Sequence, residues 1–338
     1  MSTTPLTLSF AGQQPPIALP QVSGTRGPVG VDMRGLNQSG FCSYDPGFAN
    51  TAGCQSAISW IDTENSVLLH RGYPVDQLAR QCDFLEVAYI MLNGDAPDEA
   101  SYQTFRETIT RHTLVHEQIA RMCSGFRRDS HPMALMCALV GALAAFYHDV
   151  LDVENPQHRA LAATRLLSKM PTIAAMSYKY TIEQPAAYPR NDLSYAGNFL
   201  QMLFAIPAEK YVLNPVIEQA MNQILVLHAD HGQCASTTTV RAAGSSGANL
   251  FACVAAGLAS LWGPMHGGAN ESSMRMLEEI ESVDQVPAFL RQAKRDPQAF
   301  RRLGFGNSRY RHRDPRADIL RETSHRVLAE VGMSDRLL

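Results

Sequence analysis

One histidine lies between two breaks in the helical pattern of the chain. Gly263 and Pro264 precede His266, and Gly267 and Gly268 follow it directly. Proline cannot continue a helix, and glycine leaves backbone N–H groups accessible to a ligand. An imidazole titrates near neutral pH, so a histidine in such a turn can stabilise charge that develops on a ligand. The same turn also fits a histidine satisfied by solvent, and this stretch alone leaves both interpretations open.

A pair of imidazoles follows a predicted helix. His228 and His231 are three residues apart, so they can share one helix face, as some metal-binding pairs do. No third ligand is indicated nearby, which disfavours a metal site. The alternative is that both side chains hydrogen-bond an anionic substrate.

A glycine-spaced loop precedes a basic cluster. Gly304 and Gly306 expose backbone N–H groups, and Arg309, Arg311 and Arg313 supply positive charge. The pattern is neither a dinucleotide-binding fingerprint nor a Walker loop. A phosphate site and a solvated basic loop therefore remain equal alternatives.

Helices must position these groups, because apolar residues recur at helical spacing over most of the chain after residue 70. The first 70 residues hold short alternating stretches, and residues 58–61 and 67–69 predict a hairpin. We therefore predict a mainly α protein with a small β-containing N-terminal region. The predicted helices cover residues 76–92, 101–128, 132–148, 156–169, 172–180, 191–204, 214–228, 249–262, 274–280, 286–294 and a last helix from residue 315.

Two stretches bear on how these helices connect. Pro171 is predicted to break the helix that begins at Pro156, with a separate helix after it. The polar, glycine-containing residues 236–247 fit either a loop or the start of the helix at 249–262. Asn270 is a candidate cap for the helix that follows His266.

The composition bounds the class of protein. The chain has 338 residues, 45% apolar and 18% charged, with a net charge of −3, so no nucleic-acid partner is indicated. Its seven cysteines include no C-x-x-C pair, which fits a reducing cytoplasm. We find neither a signal peptide nor an apolar run long enough for a membrane span, so we expect a cytoplasmic protein of about two domains.

Six ordered motifs carry a resemblance to a known family. They are LHRGYPVDQLA (69–79), YPRNDLSYAGNFL (188–200), LHADH (227–231), STTTVRAAGSSGAN (236–249), LWGPMHGGANE (261–271) and DPRA (314–317). Together they resemble citrate synthase, and more narrowly its bacterial, NADH-sensitive, hexameric branch, from about residue 30 onward. The resemblance implies a helical two-domain fold and a homo-oligomer, either a dimer or a hexamer. It divides the chain into an N-terminal β-containing region (1–70), a large helical domain (71–275) and part of a small domain (276–338).

The resemblance also implies a reaction and its residues. The enol of acetyl-CoA attacks the ketone of oxaloacetate, and hydrolysis then gives citrate and CoA, with no metal and no resident cofactor. His266 matches the histidine that stabilises the enol, and His228, His231 and Arg316 match the oxaloacetate-binding residues. The implied CoA-binding residues are Leu303, Gly304, Gly306 and Arg311. The implied allosteric NADH pocket comprises Arg111, His112, Tyr147, Arg165 and Lys169.

Several positions depart from the family pattern. Asn307 and Ser308 stand where the family has a histidine and usually an arginine, and Gly232 and Cys234 replace a glutamate and an asparagine. The sequence also stops before the family's catalytic aspartate, so we expect a C-terminally truncated chain with little turnover. Two alternatives are a diverged paralogue that uses another acyl-CoA, as 2-methylcitrate synthase does, and a non-catalytic module that binds NADH or CoA.

Overall fold

The N-terminal region consists of small antiparallel sheets, as predicted. The computed structural model describes residues 4–10, 15–48, 50–280, 282–296 and 310–332. Strand β1 (Leu6–Leu8) pairs with β2 (Ile17–Leu19), and β3 (Gln21–Val22) pairs with β4 (Gly30–Val31). The side chain of Leu19 is buried, which gives this region a small apolar centre.

The predicted hairpin is confirmed. Strand β5 (Ser59–Asp62) pairs antiparallel with β6 (Val67–His70), with Ser59 opposite His70. The Asp62 carboxylate accepts hydrogen bonds from the backbone N–H groups of Glu64 and Asn65, which closes the turn. A short strand β7 (Tyr73–Pro74) extends the sheet past residue 70, where the sequence pattern indicated no further strand.

Helices are the main elements of the rest of the described chain, and the predicted mainly α class is confirmed. Their bounds are α1 (Val75–Gln81), α2 (Phe84–Asn93), α3 (Glu99–Arg111), α4 (Glu117–Met122), α5 (Pro132–Ala142), α6 (Pro156–Thr181), α7 (Tyr195–Phe204), α8 (Pro215–Leu227), α9 (Ala235–Gly244), α10 (Leu250–Leu261), α11 (Ala269–Glu279), α12 (Val286–Arg295) and α13 (Arg316–Val331). None of the helices in these ranges combines enough length and apolar character to cross a bilayer.

Two long predicted helices are each divided by a capping residue. The helix predicted over 76–92 is two helices, because the Asp83 carboxylate accepts from the backbone N–H of Glu86 and starts α2 afresh. The helix predicted over 101–128 ends at Arg111. His116 then caps α4 through its ring Nδ1. In both cases apolar spacing continues through a local polar cap, so periodicity alone hides the boundary.

The break predicted at Pro171 is wrong, because α6 runs through it. A proline inside a helix leaves the carbonyl four residues earlier without its usual donor. Here the Tyr195 hydroxyl donates to the Leu167 carbonyl at 2.8 Å and replaces that bond. A side chain from α7 therefore keeps α6 continuous.

The polar stretch at 236–247 forms most of a separate helix, α9, followed by a short loop. Cys234 precedes α9 as its N-cap, and the backbone N–H of Thr237 points to the thiol. Asn249 then caps α10 through its side-chain oxygen. Neither of the two predicted alternatives, a loop or the start of α10, describes this arrangement.

Two apolar clusters hold the helices together. One lies among α4, α5, α6 and α10, with Leu139, Ile173 and Phe251 fully buried. The other joins the hairpin to α1, α2, α8 and α13 through Leu68, Val226 and Ile319 among others. The second cluster brings the end of α8 and the start of α13 together, and these segments carry several of the candidate site residues.

Candidate active site

His266 lies in a tight turn between α10 and α11. Its backbone N–H donates to the Gly263 carbonyl at 2.9 Å, and the N–H of Gly268 donates to the same oxygen. A Cβ at Gly267 or Gly268 would come within 2.7 or 2.6 Å of a backbone oxygen at the end of α10. Both glycines are therefore required for the turn to close. Asn270 does not cap α11, since Gly268 occupies the N-cap position without a side-chain bond.

The side chain of His266 contacts the first turn of α9. Its Nε2 hydrogen-bonds the Ser236 hydroxyl at 2.9 Å, and the imidazole is partly buried. The Ser236 hydroxyl also lies 3.1 Å from the Cys234 sulfur. A chain of thiol, hydroxyl and imidazole therefore joins the N-terminus of α9 to the glycine turn, and the sequence did not indicate it.

His231 and Arg316 belong to a second, more buried cluster, which we call the Arg316 cluster: His231, Tyr310, Asp314 and Arg316. The His231 Nε2 hydrogen-bonds the Tyr310 hydroxyl at 3.0 Å, and Tyr310 is only 4% exposed. Arg316 donates to both carboxylate oxygens of Asp314, at 2.9 and 2.6 Å. The structure thus brings together two candidate residues that are far apart in sequence, and adds a tyrosine and an aspartate to them.

The charges in the Arg316 cluster are balanced. Burial raises the pKa of Asp314. The hydrogen bonds and charge of Arg316, together with the charge of the nearby His231, lower it by more, so the net pKa lies below its ordinary value. The carboxylate is therefore ionised and holds the guanidinium in place. Such a preorganised arginine can bind a ligand carboxylate if Asp314 leaves some of its donors free.

A buried histidine that the sequence analysis missed lies beside this cluster. His70 is fully buried at the end of β6, and its Nδ1 hydrogen-bonds the Ser59 hydroxyl at 2.8 Å. Its Nε2 has no hydrogen-bond partner within the described ranges. Burial lowers the pKa of His70, the charge of Asp230 raises it and that of Arg316 lowers it. His70 lies in the LHRGYPVDQLA motif, but nothing in its spacing or residue type separates it from an ordinary strand residue.

His228 has a different hydrogen-bond partner from His231. It follows α8 as its C-cap, and its Nδ1 bonds the Ile224 carbonyl at 2.8 Å with the residue exposed. The two histidines of the H-x-x-H pair therefore share no hydrogen-bond partner among the contacts of the described residues. Over the described ranges, no three His, Cys, Asp or Glu side chains lie close enough together to hold a metal ion.

The basic segment before α13 rests on the hairpin turn. The backbone N–H of Arg311 donates to the Thr63 carbonyl, and its guanidinium pairs with Glu64 at 2.6 Å in an exposed position. Arg313 pairs with Asp318. These two arginines are thus engaged with acidic partners. The other predicted CoA-binding residues, Leu303, Gly304 and Gly306, lie outside the described residues, as does the predicted catalytic position Asn307.

Four of the five predicted NADH-pocket residues meet between α6 and the ends of α3 and α5. The Arg165 guanidinium lies 4.5 Å and the Lys169 ammonium 5.3 Å from the Tyr147 ring centre. Lys169 also donates to the backbone carbonyl of His112 at 2.5 Å. Arg111, by contrast, is exposed and pairs with Glu107 on its own helix.

Arg165 and Lys169 differ in the partners that accept their hydrogen bonds. Arg165 donates to both oxygens of Asp149, at 2.7 and 2.8 Å. Lys169 is only 3% exposed and is held by the His112 and Leu114 carbonyls. Burial and the charge of Arg165 lower the pKa of Lys169 to about 8. We call Tyr147, Asp149, Arg165 and Lys169 the Lys169 cluster.

Comparison with known proteins gives one family. Residues 47–338 match the model of the family described as citrate synthase, C-terminal domain. Citrate synthase from Pyrobaculum aerophilum is 30% identical with a TM-score of 0.75, and the match covers 85% of this chain and 72% of that one. Citrate synthase from Thermotoga maritima is 28% identical with a TM-score of 0.71, covering 86% and 74%.

A third similar structure is a ternary complex. It is the citrate synthase of the thermophilic archaeon Thermoplasma acidophilum with carboxymethyl coenzyme A and oxaloacetate. It is 26% identical to this chain with a TM-score of 0.78, and the match covers 85% of this chain and 74% of that one. Sequence family and fold agree over most of the chain, which belongs to the citrate synthase family of acyltransferases.

Proposed function

We propose that this chain condenses acetyl-CoA with oxaloacetate to give citrate and CoA. The observation that supports it most directly is the Arg316 cluster, where a partly buried arginine and His231 lie together at the junction of α8 and α13. A fixed guanidinium and an imidazole suit a small dicarboxylate, because each can make charge-assisted hydrogen bonds to it. The complex with oxaloacetate among the similar structures supports the same substrate.

In this proposal His266 stabilises the enol oxygen of acetyl-CoA. Its Nε2 is within hydrogen-bond distance of the Ser236 hydroxyl, which holds the ring in a defined orientation in the glycine turn. Stabilising an enol needs a group placed where the charge develops, and a fixed imidazole meets that need. His231 and Arg316 hold the dicarboxylate, and His228 is a further donor to it from the exposed end of α8.

A calorimetric titration with oxaloacetate tests the substrate site. We expect binding by the wild-type chain and a loss of about a hundredfold in affinity for Arg316→Gln, since a charge-assisted bidentate contact contributes about 3 kcal/mol. Arg321→Gln is the matched control, because Arg321 lies on the same helix and is exposed. Equal affinities in the two variants would refute the assignment.

We also propose that turnover is slow. An asparagine at position 307 can donate a hydrogen bond to the ketone but carries no titratable proton, and none of the assigned residues is a carboxylate that could act as base. We expect Asn307→His to raise the rate of CoA release from acetyl-CoA and oxaloacetate by about tenfold. Asn270→His is a control on the exposed face of α11. An unchanged rate in Asn307→His would favour a non-catalytic binding module.

The identity of the acyl group is part of the same test. The second candidate function is condensation with another acyl-CoA. The changes at Gly232 and Cys234 favour it, because Gly232 follows His231 directly and Cys234 contacts Ser236, the hydrogen-bond partner of His266. CoA release measured with propionyl-CoA beside acetyl-CoA separates the two. Faster release with propionyl-CoA would assign the 2-methylcitrate type of reaction.

We propose NADH as an allosteric ligand of the Lys169 cluster and its neighbours Arg111 and His112. A tyrosine ring with two cations beside it suits an anionic dinucleotide. The internal bonds of Lys169 and the pairing of Arg165 with Asp149 oppose this, because a ligand must displace them. Calorimetry with NADH, and with Tyr147→Ala as the variant, tests the proposal, and an absence of binding by the wild type rejects it.

The assembly is a further proposal. Helices α5 and α10 are almost wholly apolar, and most of their residues outside the core are partly rather than fully buried. Such faces favour association with another copy, so we expect a homo-oligomer, a dimer or a hexamer, by light scattering.

We further propose a cytoplasmic location, which cell fractionation tests. We also propose the division into domains 71–275 and 276–338, which limited proteolysis tests.

A further inference from the structure

The thiol of Cys234 is connected to His266. The sulfur lies 3.1 Å from the Ser236 hydroxyl, and that hydroxyl lies 2.9 Å from the His266 Nε2. These three side chains come from the loop before α9, the first turn of α9 and the glycine turn after α10. In acyl transfer a cysteine is activated by a nearby imidazole base, and here the Ser236 hydroxyl links the thiol to that imidazole.

The surroundings of the sulfur stabilise its anionic form. Partial burial raises the pKa of the Cys234 thiol, but hydrogen bonds from Ser236 and Thr237 lower it by more, and the net pKa lies below its ordinary value. The sulfur also occupies the N-cap position of a ten-residue helix, where backbone N–H groups favour negative charge. Thiols with lowered pKa and partial access are the reactive ones.

Among the contacts of the described residues, no other cysteine has this arrangement. Burial raises the pKa of Cys123 and Cys253, and Cys253 donates to the Ala248 carbonyl. Cys234 is therefore distinguished by its connection to the candidate catalytic histidine, His266. In the family pattern an asparagine stands at this position, so the thiol is a feature of this chain that the condensation does not require.

We propose that Cys234 is an acyl-acceptor site, at which the thiol takes the acyl group from an acyl-CoA thioester. This inference rests on the proposed function, which places the thioester against His266. The Cys234 sulfur attacks the thioester carbonyl carbon, a new carbon–sulfur bond forms to Cys234, and the bond to the CoA sulfur breaks. The thiol proton passes through the Ser236 hydroxyl to the His266 Nε2 and from there to the departing CoA thiolate. The products are an S-acyl cysteine and free CoA.

The test is acylation of the whole chain in the absence of oxaloacetate. We incubate the protein with acetyl-CoA and, separately, with a small thioester, S-acetyl-N-acetylcysteamine, and locate acetyl groups by mass spectrometry of peptides. We expect one acetyl group per chain, on Cys234, with one equivalent of CoA released. Cys234→Ser should lose this acetylation, and Cys42→Ser, which removes an exposed thiol, should retain it.

The role of the connecting hydroxyl has its own readout. In Ser236→Ala the thiol remains but the path to His266 is broken, so we expect acetylation to slow by about a hundredfold. The pH profile of Cys234 alkylation by iodoacetamide should move to higher pH, and Ser236→Thr should restore much of it. A merely structural role for Ser236 would leave that profile unchanged.

The outcomes separate this inference from the proposed function. Acetylation by the small thioester but not by acetyl-CoA would support the reactive thiol and refute acyl-CoA as the substrate. An unmodified Cys234 with both reagents, in a protein that binds acetyl-CoA by calorimetry, would overturn the acyl-acceptor site and leave the proposed function intact. Equal labelling of Cys42 and Cys234 would also overturn it, because it would show ordinary thiol reactivity.

Discussion

The Arg316 and Lys169 clusters contain the same residue types, an arginine, an aspartate and a tyrosine, but they differ in net charge. Each contains an arginine that is bidentate to an aspartate, with a tyrosine beside it. In the Arg316 cluster the aspartate is partly buried and only one formal cation is present beside the histidine. In the Lys169 cluster the aspartate is 58% exposed, and a second, buried cation is held by two backbone carbonyls and the face of the Tyr147 ring.

This difference shows what each cluster can do. Asp314 neutralises Arg316 at close range, so the cluster is stable without a ligand and its guanidinium stays oriented. The Lys169 cluster keeps an excess positive charge at neutral pH, because solvent screens Asp149 and no carboxylate pairs with Lys169 among the contacts of the described residues. An anion would therefore gain more electrostatic binding energy at the Lys169 cluster, while the Arg316 cluster holds its guanidinium in a better defined orientation.

The largest expected effect comes from removing the arginine of each cluster. Arg316→Gln should lower the free energy of unfolding by about 3 kcal/mol, because the ionised Asp314 loses its bidentate, charge-assisted partner in a partly buried position. Arg165→Gln should cost about 1 kcal/mol or less, since Asp149 can hydrate and repulsion on Lys169 is relieved. Urea denaturation of both variants and the wild type measures the two losses in unfolding free energy. Equal losses would mean that the two clusters do not differ in solvation.

The second prediction uses pH to test the excess charge. Lys169 has a pKa of about 8 in the folded chain and its ordinary value of 10.5 when unfolded. Between these values the unfolded chain binds the proton and the folded chain does not, so stability rises with pH across that window. The gain should reach about 2 kcal/mol relative to Lys169→Met, in which this contribution is absent.

Measurement of unfolding at pH 7, 8, 9 and 10 in both proteins checks this second prediction. The difference between wild type and Lys169→Met should be flat below pH 8 and should then grow in favour of the wild type. A constant difference over the whole range would show that the two carbonyl bonds keep Lys169 as basic as an exposed lysine.

The sequence indicated the helical fold and the paired hairpin correctly, because both depend on local periodicity. It failed where one residue overrides a pattern. Asp83 and His116 start new helices within apolar spacing that continues past them. Pro171 fails to break α6, because a hydroxyl 24 positions later in the chain takes its place as donor. No single-sequence pattern contains that long-range contact.

The candidate site divides in the same way. Family resemblance gave His266, His231 and Arg316, but not the groups that hold them. Ser236, Tyr310 and Asp314 are ordinary polar residues in the sequence, and their role depends on segments that meet only in the folded chain. His70 lies in one of the family motifs, but its burial could not be read from the sequence, because it depends on the packing of the hairpin against α8 and α13.

The smallest predicted effect concerns the two tyrosines. In the Arg316 cluster the hydroxyl of Tyr310 bonds His231, so Tyr310→Phe leaves that imidazole nitrogen without its partner and should cost about 1 kcal/mol. In the Lys169 cluster the ring face of Tyr147 serves the cations, and Tyr147→Phe keeps the ring, so its cost should be below about 0.5 kcal/mol. Urea denaturation at pH 7 compares them. The reverse order would mean that the hydroxyl matters in the second cluster and the ring in the first, which contradicts the charge argument made for both.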